Sequence, residues 1–153
     1  MKKSDRISAF VESLGGDPAD ELDPCYTGYF RCFNAQEYYE AHDVLEHLWL
    51  KQRDENYAFY KGLIQVAGAF VHLQKQFLHP EHPKHSRRLR PAVRLFDLAA
   101  ANLAPFTPEH LRLDVTALIQ LCRERAAEIV GSDFTRNPWS PAAAPQIALV
   151  GFG

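Results

Sequence analysis

The sequence predicts an all-α protein: a single-domain bundle of about five helices, with a central antiparallel helix pair and an irregular C-terminal arm. Three observations predict it. Apolar residues recur at helical rather than strand spacing through most of the chain. The breaks between those runs are short and rich in Pro, Gly, Asn and Asp. From Ser132 onward the composition shifts to Pro, Ala, Asn and Ser. A chain of 153 residues buries one good core and has no room for two comfortable domains. The expected division is a helical domain over 1–131 and a tail over 132–153.

Ser4 to Leu14 places Ile7, Phe10, Val11 and Leu14 at helical spacing and is followed by Gly15-Gly16, a helix stop. Asp17 to Pro24 is an acidic, proline-containing loop. Cys25 to Phe33 carries Tyr26, Tyr29, Phe30 and Phe33 on one helical face, and Asn34 with Glu37 has the spacing of a capping box. Glu37 to about Gln52 is the most legible helix. At about 100° per residue, Tyr38, Ala41, Leu45, Leu48, Trp49 and Gln52 fall on one side. Gln36, Glu40, Asp43, His47 and Lys51 fall on the other. The link Arg53 to Asn56 is short, so the next helix, Tyr57 to about Phe77, should run antiparallel to it.

That second helix is apolar over most of its circumference, which marks it as central. One polar stripe remains: Lys61, Gln65, His72 and Gln76, with Gly68 inside it. His79 to Pro83 must be a loop. A further helix is expected over about Lys84 to Leu103, starting or kinking near Pro91. Thr107-Pro108 is a helix-start signal for the last helix, whose buried face holds Leu111, Val115, Leu118, Cys122, Ala126 and Ile129 and which stops at Gly131. The tail is expected to anchor on the bundle through Phe134 and Trp139.

Composition narrows the function classes. Apolar residues make up 46% and charged residues 24%, a globular balance without a disorder signature. A formal charge of −2 creates no global field for nucleic acid or anionic membrane. No run approaches the ~20 apolar residues that cross a bilayer, and the N-terminus has no apolar signal-peptide core. Cys25, Cys32 and Cys122 are an odd number without a C-x-x-C pair, as expected for reduced, buried thiols. A cytoplasmic location is the expectation.

The one polar constellation on the shoulder of an apolar stripe is His42 with Glu46, four residues apart and therefore stacked on one helix face. Counting back from the short link places Glu46 near the level of Gln65 and His42 near that of Gly68, with Tyr39 and His72 next. Packed helices lie ~8–10 Å apart, so side chains from both could converge there. One imidazole and one carboxylate at this spacing can share a divalent ion such as zinc, manganese or iron, and His72 could add a third ligand. The chain has no H-E-x-x-H motif. His42 and His47 are five apart, about 140° round the helix, and cannot chelate from one face. The alternative is a structural pair, with Gln65 or a tyrosine completing a hydrogen-bonded network. Trp49 has the spacing of a core residue.

Phe33-Asn34, followed by Tyr38-Tyr39-Glu40-Ala41-His42-Asp43-Val44-Leu45-Glu46 and Trp49, resembles the H-x-x-x-E-x-x-W motif of the domain of unknown function 309 family. Tyr60-Lys61-Gly62-Leu63-Ile64-Gln65-Val66-Ala67, with His72 later, resembles that family's second signature stretch. The resemblance covers roughly residues 26–125. It implies a small helical protein and a metal-binding role for His42 and Glu46, and it names no reaction; whether the chain is an enzyme stays open.

Other clusters have simpler readings. His79, His82 and His85 recur at three-residue spacing in a Pro-broken loop, expected to be solvated. Lys84, Arg87, Arg88, Arg90 and Arg94 could grip phosphates, RNA included, although no aromatic residue is interleaved from Lys84 to Arg94 and solvated charge accounts for them. The partners expected are a metal ion or small ligand, with neither membrane nor nucleic acid. A scaffold or interaction module is the alternative, and helix faces or the arm (Ile147 to Val150) could pair with a second copy.

Overall fold

A computed structural model describes residues 22–151. The helix expected over Ser4–Leu14 and most of the loop after it lie outside the described residues. Five α-helices follow: α1 (Pro24–Asn34), α2 (Tyr38–Lys51), α3 (Tyr57–Leu78), α4 (Leu89–Leu103) and α5 (Val115–Gly131). A two-stranded antiparallel hairpin, β1 (Glu109–His110) with β2 (Leu113–Asp114), sits between α4 and α5. Among the described residues the protein is all-α apart from this hairpin.

Helix α1 starts because Asp23 accepts from the Cys25 amide at 2.7 Å and Pro24 occupies the first helical position. It buries Tyr26, Tyr29, Phe30 and Phe33 together. The antiparallel α2–α3 pair is visible in its contacts. Trp49, late in α2, stacks on Tyr57 at the start of α3, while Tyr38, at the start of α2, stacks on Phe70 far along α3. Helix α3 is central, packed against α2 on one side and α4 on the other, with α1 against α2 and α5 against α4. Gly62 lets α3 and α4 close: a Cβ built there would lie 2.8 Å from Leu103 Cγ.

Several expectations are corrected. Asn34 is the last residue of α1 rather than a cap for α2. Gln36 turns the chain with φ 62°, Glu37 precedes α2 without a side-chain cap bond, and the Asn34 amide instead clamps Ile147 of the arm at both N and O. Asp43, assigned to the polar side of α2, is buried, 6% exposed. The expected start near Pro91 holds: α4 begins at Leu89, which puts Pro91 in its first turn, where a missing N–H costs nothing. Thr107-Pro108 does not start the last helix: the Thr107–Pro108 peptide is cis, the hairpin intervenes, and Asp114 caps α5 by accepting from the Ala117 amide at 3.0 Å. Leu111 is not on α5 but in the hairpin turn, where it and Arg112 take left-handed φ of 45° and 62°. Tyr26 Oη donates to the Leu111 carbonyl at 3.0 Å and the Val150 amide donates to the Arg112 carbonyl at 2.7 Å, holding that turn from both sides.

The arm folds back onto the bundle. Trp139 is 3% exposed, packs edge-on against Tyr38 and Phe77, and donates from Nε1 to Tyr38 Oη at 2.9 Å. Among the described residues no helix is long and apolar enough to cross a membrane.

Candidate functional site

Helix α2 turns Ala41, Val44, Leu45 and Leu48 inward, which leaves His42 and Glu46 on its edge, each 31% exposed. His42 Nδ1 lies 3.1 Å from Asp43 Oδ1, and its Nε2 lies 3.8 Å from Glu46 Oε2. The imidazole is thus bracketed by two carboxylates, one buried and one half-exposed. With Asp43 as acceptor, the Nδ1 hydrogen is held there and the Nε2 lone pair is turned towards Glu46. Two acceptors facing one another at 3.8 Å favour a cation near them.

The other expected residues lie apart. Gln65 Oε1 accepts from Asn102 Nδ2 at 2.7 Å, so it faces α4. His72 faces the segment leading into α4: Arg88 Nη1 lies 3.0 Å from its Nδ1. Burial, then the neighbouring Arg88 and Lys75, pull the His72 ring down to a pKa of about 4. The polar stripe of α3 therefore points to α4 rather than to α2, which its spacing alone could not reveal. Among the described residues no three His, Cys, Asp or Glu side chains gather so as to hold a metal ion. Tyr39 is exposed, its ring 6.3 Å from that of His42 and capped by Lys75 Nζ at 5.2 Å. Trp49 stacks on Tyr57 at 5.0 Å, Arg53 also lies over the Tyr57 ring at 5.2 Å, and Trp49 Nε1 is buried without a hydrogen-bond partner.

Asp43 is the residue that sequence reasoning missed. It sits inside the H-x-x-x-E stretch, but helical spacing assigns it to solvent, and only the packing around α2 shows it buried against His42. The cysteines match expectation: all three are free and buried, and burial pushes the Cys122 thiol up to about 12.

The family model described as a domain of unknown function (DUF309) matches residues 26–79. Over those residues, about a third of the chain, the protein is similar to this family. The matched DUF309 stretch runs from α1 through α2 to the end of α3, so it contains His42, Asp43, Glu46 and Trp49. It stops short of the 125 that the sequence resemblance suggested. No curated protein and no solved structure matches the chain.

Proposed function

We propose that this protein binds a divalent metal ion at the edge of α2, through His42 Nε2 and the Glu46 carboxylate, with Asp43 orienting the imidazole. The observation that supports this reading is the order carboxylate–imidazole–carboxylate, at 3.1 Å and 3.8 Å. Metal-bound histidines commonly give their second ring N–H to a carboxylate, which sets the tautomer and strengthens the ligand. The donor set fits a cation in part: it supplies two ligands, and water or the oxygens of a small ligand would complete the shell. His72 is left out because Arg88 occupies its Nδ1 and places a positive charge beside the ring.

A second reading has its own support. Asp43 is a buried acid, and His42 satisfies it, so the pair can act as packing in a scaffold or interaction module. One experiment separates the two. Purified, untagged protein is dialysed against zinc, manganese or iron(II) and analysed for bound metal, beside His42→Ala, Glu46→Gln and Asp43→Asn. The metal reading expects about one equivalent, lost in the first two variants and weakened about 10–100-fold in the third. No metal in any form, with His42→Ala only melting earlier by a few kcal/mol of stability, would leave the scaffold reading.

A further inference from the structure

We infer that the segment joining α3 to α4 is a binding site for a phosphate-type oxyanion, centred on Arg87 and Arg90 with the charge of Arg88 beside them. The lining of this site shares no residue with the His42–Glu46 edge and does not depend on it.

The argument begins with hydrogen-bond polarity. Arg88 donates from Nε to His85 Nδ1 at 2.9 Å, and its Nη2 also meets that nitrogen. Its Nη1 meets His72 Nδ1 at 3.0 Å. His82 Nδ1 accepts from the amides of Lys84 and His85, at 3.0 Å and 3.1 Å. A guanidinium and a backbone amide can only donate, so all three Nδ1 atoms act as acceptors. Each neutral ring then carries its hydrogen on Nε2. The His82 and His85 rings stack at 4.3 Å. Arg88, satisfied only by neutral imidazoles, keeps its full charge without a carboxylate.

The charge around it is equally one-sided. From Lys75 to Arg94 the chain has six Lys and Arg residues and a single acid, Glu81, in a protein of net −2. Among the described residues no carboxylate lies in an ion pair within 4.0 Å of any of these six cations. Lys75 and His85 are both pushed towards their neutral forms, by burial first and then by Arg88 and the other cations nearby.

A receptacle adjoins the cluster. A cavity of about 340 Å³ is lined by Arg87, Arg90, Gln76 and Phe134, among others. The Arg90 guanidinium carbon lies over the Phe134 ring at 4.0 Å, a contact that restrains its planar fork. The Gln76 carbonyl is already occupied by the Arg88 amide at 2.8 Å, so only its NH₂ group remains to donate. Donors in forked, cationic geometry recognise tetrahedral oxyanions in preference to halides. Asp133 is the one carboxylate that lines the cavity, and it opposes an anion there.

The test is titration of the full chain with inorganic phosphate, against sodium chloride at matched ionic strength, read by ³¹P line width and long-range ¹H–¹⁵N imidazole spectra. Phenyl phosphate and a short single-stranded oligonucleotide form parallel arms. We expect saturable binding of both phosphate monoanion and dianion probes, at least ten-fold weaker in Arg87→Gln and in Arg90→Gln. Arg94→Gln, on the same helix but outside the cavity, should change it less than three-fold, and Asp133→Asn should tighten it. The inference is overturned if phosphate acts no differently from chloride, or if Arg94→Gln weakens binding as much as Arg90→Gln. Nδ1–H tautomers at His72 and His85, or oligonucleotide binding that phosphate does not compete with, would overturn it equally.

Discussion

Replacing Trp139 by alanine should cost this protein about 4–6 kcal/mol, although the residue lies in a stretch with no regular secondary structure. The indole is 3% exposed and packed edge-on against Tyr38 and Phe77. Truncating a buried tryptophan removes about 3–5 kcal/mol through lost transfer energy and the cavity left behind. Tyr38, itself fully buried, would also lose the acceptor role of its hydroxyl towards Trp139 Nε1, adding about 1 kcal/mol or more. Tyr38→Phe makes the converse change and leaves the indole N–H without a partner, at about 1–3 kcal/mol. The assay is urea unfolding followed by far-ultraviolet circular dichroism, with the double variant closing the cycle. Non-additivity of at least 0.5 kcal/mol is expected, because the two groups touch. A loss below 1 kcal/mol for Trp139→Ala would show that the arm is not part of the cooperative core and would refute the packing argument.

Two further predictions concern the α3–α4 interface. Gly62→Ala should destabilise by about 1–3 kcal/mol, because the new methyl meets Leu103 Cγ at 2.8 Å and that leucine has nowhere to move. Gly131→Ala, with open space around the new methyl, should show no such loss in the same thermal melts. The pH dependence follows from His72, whose folded pKa of about 4 lies below the unfolded value of 6.5. Between those values the unfolded chain binds the proton that the folded chain refuses, so stability is full above pH 6.5 and falls as the pH drops towards 4. The size is on the order of 1–3 kcal/mol after solvent screening. His72→Gln should flatten the unfolding free energy across that window; an unchanged slope would mean that the ring is not held neutral.

Much of the architecture is written in local pattern. The 3.6-residue recurrence of Tyr26, Tyr29, Phe30 and Phe33, or of Leu118, Cys122, Ala126 and Ile129, is enough to place α1 and α5 and the faces they bury, because a helix has one inward side. The short link from Arg53 to Asn56 is enough for the antiparallel pair. The i, i+4 spacing brings His42 and Glu46 together whatever surrounds them.

Tertiary structure decided what depends on which neighbour a face meets. The α3 stripe of Gln65 and His72 turned to Asn102 and Arg88 instead of to His42, since periodicity gives the angle of a face and not its partner. Asp43 is buried because the packing around α2 covers more of that helix than its apolar stripe requires. The turn at Leu111-Arg112 has no glycine or asparagine to announce it. It exists because Tyr26 and Val150, 85 and 38 residues distant, bond to its two carbonyls. The sequence by itself determined the helices, their order and the His42–Glu46 pair, all set by contacts a few residues apart; the docked arm, the hairpin and the surroundings of each polar group rest on contacts between segments far apart in the chain.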